Sequence, residues 1–333
     1  MQDKTIKFSK ETTVICTGSA VGKREHEGPI GEFFDLHDED DHFGKKTWEK
    51  AESEMQRLAF NVALSKKGYS ERDIDALYAG DLLNQCSASS YGLLDFDIPY
   101  FGLYGACSTA AESILLASMA HSSGYFDRCA AVTSSHYCSS ERQFRTPVEY
   151  GAQRSQTAQW TVTGSGAFII GEGGNVRVSE GLAGVVVDKG INDAANMGAA
   201  MAPAAAHTLI RYFKYGELPL DKIDLIVTGD LGYEGGSILC DLLAFEGYDI
   251  RKKYNDCGMM IYSRNTQDTH GGGSGCGCSA VVMASYILPK IERGELGEVL
   301  FLGTGAMMSP SSIQQGESIP GVAHLVRFSG KER

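Results

Sequence analysis

The residues best placed for chemistry lie in the segment Ile98–Ala110. An apolar run leads into the small-residue turn Gly105-Ala106-Cys107-Ser108, and a helix is expected from Ser108 to Ser122. Cys107 then falls at or just before the first turn of that helix. Free backbone N–H groups and the positive end of the helix dipole favour a thiolate there. The same groups could bind an anion. Gly105 would allow a ligand to approach the backbone closely. A buried structural cysteine carries the same signature, so position alone leaves both readings open.

Three other segments invite chemical readings and have simpler ones. The run His37-Asp38-Glu39-Asp40-Asp41-His42 is acidic and flanked by histidines, but it lacks the glycine-turn spacing of a calcium loop and reads as a solvated loop. Cys276-Gly277-Cys278 leaves one residue between its cysteines, whereas zinc spacing leaves two to four. Close packing at a helix start explains it better. Gly271-Gly272-Gly273-Ser274-Gly275 is not followed by the Gly-Lys-Ser/Thr of a phosphate loop and reads as the second-half counterpart of the cysteine turn.

The elements that must position Cys107 occur twice. Asp75-Ala-Leu-Tyr-Ala-Gly-Asp81-Leu82 matches Asp224-Leu-Ile-Val-Thr-Gly-Asp230-Leu231, each a buried-type strand ending in Gly-Asp-Leu. An amphipathic helix is expected before each, over Trp48 to Leu64 and over Ala199 to Tyr212 after Pro203. Ser108-Thr109-Ala110 is echoed by Cys278-Ser279-Ala280. Both helices run to a glycine (Gly124, Gly294) and then a strand, Arg128–Ser134 and Glu298–Thr304. The second half carries an insertion within Ile238 to Gly271, and the first a long irregular region over Tyr137 to Thr163. Strands alternating with helices imply mixed, mostly parallel sheets covered on both faces. The join lies near Gly173-Gly174, giving halves 1–174 and 175–333 without a linker between them.

The bulk properties set limits. The chain has 333 residues, 43% hydrophobic and 22% charged, which suffices for a large core. A net charge of -12 argues against nucleic acid as the main partner and against simple adsorption to anionic lipid. No apolar run reaches membrane-spanning length, and Met1–Thr13 holds no apolar signal core. An intracellular chain, soluble or peripherally bound to a membrane, is the expectation. The nine cysteines are odd in number and scattered, and are expected to be free thiols.

Gly105-Ala-Cys107-Ser-Thr-Ala110 resembles the nucleophile elbow of thiolases and ketoacyl synthases, and Phe301-Leu-Gly303-Thr-Gly305-Ala306 resembles the C-terminal glycine loop of that superfamily. Eight segments more closely resemble the stage V sporulation protein AD family: Ala79–Gln85, Gly105–Thr109, Ser134–His136, Glu141–Arg145, Met197-Gly198, Ala200–Ala205, Gly271–Cys276 and Ile313–Gln315. The resemblance implies a duplicated thiolase-like fold, an α-β-α-β-α layered sandwich. It also implies a binding protein for dipicolinic acid (pyridine-2,6-dicarboxylate), acting in movement of that acid, with calcium, into the forespore. Membrane proteins of the same operon would be its partners. No cofactor is implied, and calcium only together with the ligand.

The resemblance to ketoacyl synthases also exposes a departure. Condensation on a cysteine thioester needs a His, with a second His or an Asn, to bind the thioester oxygen and stabilise the carbanion. Asp230 stands where one such His would follow its strand, and Gly272 where an Asn would be. A carboxylate repels a developing enolate and glycine donates nothing, so only His136 or His270 could supply the function.

A small aromatic dicarboxylate needs a few convergent donors in a mostly apolar pocket. Cys107, Ser134, Ser135 and His136 would be brought to one sheet edge, His270 in the glycine-rich turn is a further ligand-binding candidate, and Arg142 and Arg145 could clamp carboxylates, or merely anchor their loop. Asp81 could orient an arginine or meet calcium carried with the ligand, while Asp81 and Asp230 could equally be turn or cap residues. Trp160 and Tyr150 could stack on a flat ring or pin the loop. Acyl transfer through Cys107 is the alternative function, and a scaffold for spore-membrane proteins the second. The apolar Tyr100–Tyr104 segment suits a homodimer.

Overall fold

The computed structural model describes residues 4–144 and 154–330. The first half is built from β1 (Thr13–Val21), α1 (Trp48–Ser65), β2 (Ala76–Gly80), β3 (Tyr100–Gly102), α2 (Thr109–Ser122), β4 (Cys129–Ser135), α3 (Tyr137–Phe144) and β5 (Gly164–Gly171). The second half repeats the plan with β6 (Val176–Leu182), α4 (Met197–Tyr215), β7 (Leu225–Thr228), α5 (Gly232–Phe245), β8 (Tyr254–Asp256), α6 (Cys276–Val282), β9 (Glu298–Ala306) and β10 (Gly321–Gly330).

Strand order is β3-β2-β4-β5-β1 in the first half and β8-β7-β9-β10-β6 in the second, the same topology twice. In each half four strands point one way and one, β5 or β10, runs against them. The halves meet edge to edge where Thr13 and Val14 of β1 pair antiparallel with Arg177 and Val176 of β6. β4 and β5 are buried along their whole length, which is why they read as runs of small and apolar residues without alternation.

Five layers result. α1 covers the outer face of β1 and β5, and α4 that of β9 and β10, with α5 packed on α4. Between the halves lie α2 and α6. α2 packs on β4 and β2 of its own half and on β9 and β10 of the other, and α6 reaches back onto β5 and β4. The middle layer is therefore built by exchange, each half lending the helix that follows its elbow.

Two sequence expectations need correction. Pro203 falls inside α4 and not before it, since that helix starts at Met197, with the Asn196 side chain accepting from the Ala199 N–H. The region over Tyr137 to Thr163 is not wholly irregular: it opens with α3, and Trp160-Thr161 pairs with Gly273-Ser274 as a two-residue parallel ribbon.

Candidate functional site

β3 delivers the chain to a tight elbow. Ala106 takes a left-handed conformation (φ +50°), a cost of about 1–2 kcal/mol for a residue with a Cβ. A one-turn 3-10 segment, Ala106–Ser108, then feeds α2. Side chains hold the turn: the Ser108 hydroxyl donates to the Gly105 carbonyl (2.6 Å), and Thr109 Oγ1 accepts from the Gly105 N–H (3.0 Å) while donating to the Ala106 carbonyl (2.7 Å). The glycines of β9 let the elbow dock. A Cβ on Gly305 would stand 2.4 Å from the Gly105 carbonyl oxygen, and one on Gly303 2.6 Å from the Ala111 Cβ.

Gly105 is small for a different reason from the one the sequence suggests. The space its Cβ would take is filled by the side chains of Glu112 and Ser108, at 2.4 and 2.6 Å, not left for a ligand. The thiolate expectation for Cys107 is also overturned. Its residue is only 6% exposed, and burial, reinforced by the facing Asp230 carboxylate, pushes the thiol well above its usual pKa. A helix-end dipole is worth about 0.3–1 kcal/mol and loses to both.

Asp230 follows β7 and is fully buried. One oxygen accepts from the Gly275 N–H (2.9 Å) and the Ser274 hydroxyl (3.1 Å), the other from Thr304 Oγ1 (2.9 Å), and the Cys107 thiol lies within hydrogen-bonding reach. Burial raises its pKa to about 6 against the pull of these donors. Asp81, in the equivalent place after β2, serves its own loop: Oδ1 accepts from the Leu83 N–H and Oδ2 from the N–H and hydroxyl of Ser89. That is the turn-capping role open to it from sequence.

A cavity of about 340 Å³ opens beside the elbow. Cys107, Tyr104, Phe144, Met197 and Met308 give it thiol, aromatic and thioether surface, and Ser140, Gln159, Arg154 and Glu141 its polar groups. Gln159 is fixed in orientation, its amide nitrogen donating to the carbonyls of Asp230 (2.6 Å) and Gly273 (3.1 Å).

Of the sequence candidates, Cys107 alone lines this cavity among the described residues, with Asp230 behind it. Ser134 points away into a buried network, donating to Glu52 (2.9 Å). Ser135 donates to the Val162 carbonyl (2.7 Å) and accepts from the Gly277 N–H (3.2 Å). His136 is buried: Nε2 donates to the Asp41 carbonyl (2.9 Å) and Nδ1 accepts from the Cys138 N–H (3.2 Å), so the ring is held neutral, its pKa depressed mainly by burial. His270 is held by the Ser155 carbonyl (2.7 Å) and Asp268 (3.0 Å). Neither histidine contributes to the lining. Arg142 pairs with Glu49, as an anchor of its helix. Arg145 and Tyr150 lie outside the described residues. Trp160 stacks on Tyr137 (3.9 Å) with Arg24 over its ring (4.0 Å), pinning the ribbon to α3.

Arg154, Gln159 and Glu52 are not among the sequence candidates. Arg154 and Gln159 belong to a loop whose path no local pattern gives. Glu52 had a signal: it sits in the buried stripe of α1 with Met55, Gln56, Ala59 and Phe60. Among the described residues no group of three or more His, Cys, Asp or Glu side chains is placed to hold a metal. Cys276 donates to the Ser134 carbonyl (3.0 Å), a packing role.

The architecture is shared with solved condensing-enzyme structures. 3-Oxoacyl-(acyl carrier protein) synthase III from Xanthomonas oryzae superposes with a TM-score of 0.59 at 13% identity, covering 97% of this chain and 100% of that one. A cerulenin-bound variant of OleA from Xanthomonas campestris gives 0.60 at 12% identity, covering 97% and 98%. These likenesses establish the thiolase-like fold. In sequence, the chain is 44% identical over 322 residues to stage V sporulation protein AD of Bacillus subtilis strain 168, covering 96% of this chain and 95% of that protein. The family model of stage V sporulation protein AD (SpoVAD) matches residues 2–329, and the chain belongs to that family.

Proposed function

We propose that this chain is a non-catalytic binding protein for dipicolinate, free or as its calcium chelate, that acts in dipicolinate uptake into the forespore beside membrane proteins of the same operon. The observation that carries the reading is the Asp230 carboxylate set against the buried Cys107: burial, reinforced by that carboxylate, holds the thiol in its protonated form, and the carboxylate puts a negative charge where condensation would need a donor. The cavity suits a small flat ring, with aromatic and thioether surface and Arg154 for a carboxylate. Membership of a stage V sporulation family supports the setting. Among the described residues no helix is long and apolar enough to cross a membrane.

Calorimetric titration with dipicolinate, with and without calcium, tests this. Saturable heat that vanishes in Cys107→Arg supports it, and no heat under either condition sinks it. Acyl transfer is the rival reading, favoured by the elbow that presents Cys107. Iodoacetamide-sensitive turnover of an acyl thioester would establish it. The scaffold reading predicts partner binding that survives Cys107→Arg. A homodimer is part of the proposal: β3 is an edge strand, and Tyr91, Leu94, Phe101 and Tyr104 lie exposed around it. Light scattering showing only monomer at high concentration would remove that part.

A further inference from the structure

We infer that Glu52 is a positioning residue of the cavity, a proton-operated latch that sets the pose of α3 through Ser139; the inference deepens the binding reading and rests on it for its consequence. Glu52 is fully buried, one turn into α1, and α3 supplies the cavity's Ser140, Glu141 and Phe144. Oε1 accepts from the Ser134 hydroxyl (2.9 Å) and Oε2 from the Ser139 hydroxyl (2.6 Å). The Ser139 hydroxyl also lies 3.1 Å from the His136 carbonyl, the same carbonyl that accepts the Ser140 N–H of α3 at 3.0 Å.

A hydroxyl has one proton to give. When Glu52 is ionised, Ser139 must donate to it and the His136 carbonyl loses that donor. When Glu52 is protonated, its O–H donates to Ser139, and Ser139 donates to the carbonyl. The two charge states thus tie the start of α3 down differently, one residue before Ser140. Around Glu52 stand Asp81 beyond the Gln56–Ser89 link, Glu49 on its own helix, and Cys276 from α6. His136 is neutral and Arg142 is taken by Glu49. None of these neutralises a buried carboxylate, and burial, with Asp81 next, raises the Glu52 pKa to about 8.

Trp160, stacked on Tyr137 at the start of α3, reports the pose without any ligand. The experiment is a pH 6–10 titration of its emission in a Trp48→Phe background, Trp48 being the other tryptophan, together with dipicolinate affinity over the same range. The expected result is a fluorescence transition near pH 8 that is absent in Glu52→Gln and in Ser139→Ala. If only the protonated form is competent, affinity falls about ten-fold between pH 7 and pH 9 in the parent and stays flat in Glu52→Gln. A transition that persists in Glu52→Gln, or is missing from the parent, overturns the latch. Should Glu52→Gln fail to fold, Ser139→Ala decides alone, since it leaves Glu52 in place. A transition that behaves as expected with no dipicolinate heat at any pH keeps the latch and removes the binding reading.

Discussion

Asp230 abuts the Cys107 thiol, whereas Asp81, its counterpart in the first half, is spent on the backbone of its own loop. The duplication gave both halves a strand ending in Gly-Asp-Leu, and only the second half sets its aspartate against the elbow cysteine. Burial is the larger cause of the raised thiol pKa and Asp230 the next. Asp230→Asn removes the second cause alone. The thiol pKa should fall, and iodoacetamide labelling of Cys107 at pH 8 should rise about ten-fold for each unit of that fall. An unchanged labelling rate would assign the shift to desolvation entirely. Some stability should be lost as well, about 1–3 kcal/mol, because an amide nitrogen cannot accept from all of Gly275, Ser274 and Thr304.

Stability should fall as pH rises from mildly acid to alkaline. Glu52 (to about 8), Glu25 and Asp256 (each to about 7) and Asp230 (to about 6) are all raised by burial above their ordinary values of 4.5 or 3.8. The folded state therefore holds protons that the unfolded chain releases. Their contribution is complete below the unfolded values and is lost as pH climbs through the folded ones, up to about 8. His324, depressed to about 4 by burial, acts oppositely, its contribution being lost as pH falls from 6.5 to 4. Thermal melts should give the highest Tm in weakly acid buffer, and Glu52→Gln should flatten the decline on the alkaline side. A Tm that rises from pH 6 to 9 would contradict the assignment.

Gly305→Ala should disturb the elbow from behind. The added Cβ would meet the Gly105 carbonyl oxygen at 2.4 Å, a backbone atom that cannot swing aside. Relief requires β9 and the elbow to separate, and overpacking of this kind costs about 1–3 kcal/mol. The expected result is a lowered Tm together with weakened ligand binding. A control substitution, Gly316→Asn, places a tolerant residue at an exposed left-handed position with open space around it and should leave both unchanged.

The repeat was legible because it is written in local patterns: the paired Gly-Asp-Leu strand ends, the small-residue helices after each elbow, and the glycines of Phe301–Ala306. The elbow was placed correctly by the same signals. What lay beyond them was long-range. The state of Cys107 depends on Asp230, brought in from the other half, and no reading of residues 98–110 contains that carboxylate. Arg142 and Arg154 are alike in sequence, two arginines of one long connection. α3 turns the first toward Glu49 on α1, while the second returns to the cavity wall. Glu52 was readable as a polar residue in an apolar stripe, yet its partners Ser134 and Ser139 appear only once β4 and α3 are set against α1.

That contrast between the arginines separates two otherwise similar substitutions. Arg154 lines the cavity, lies over the Trp160 ring at 4.9 Å and donates to the carbonyls of Asp268 and Ala158, whereas Arg142 is half exposed in a surface ion pair. A charge-assisted hydrogen bond to a bound carboxylate is worth about 1.5–3 kcal/mol, so Arg154→Ala should weaken dipicolinate binding by roughly ten-fold to a hundred-fold. Arg142→Ala removes an exposed pair worth about 0–1 kcal/mol and should change affinity by less than about five-fold. Calorimetry on the two variants side by side reads the difference. Equal losses would move the carboxylate away from Arg154 and place it nearer the outer end of α3, where Arg142 sits.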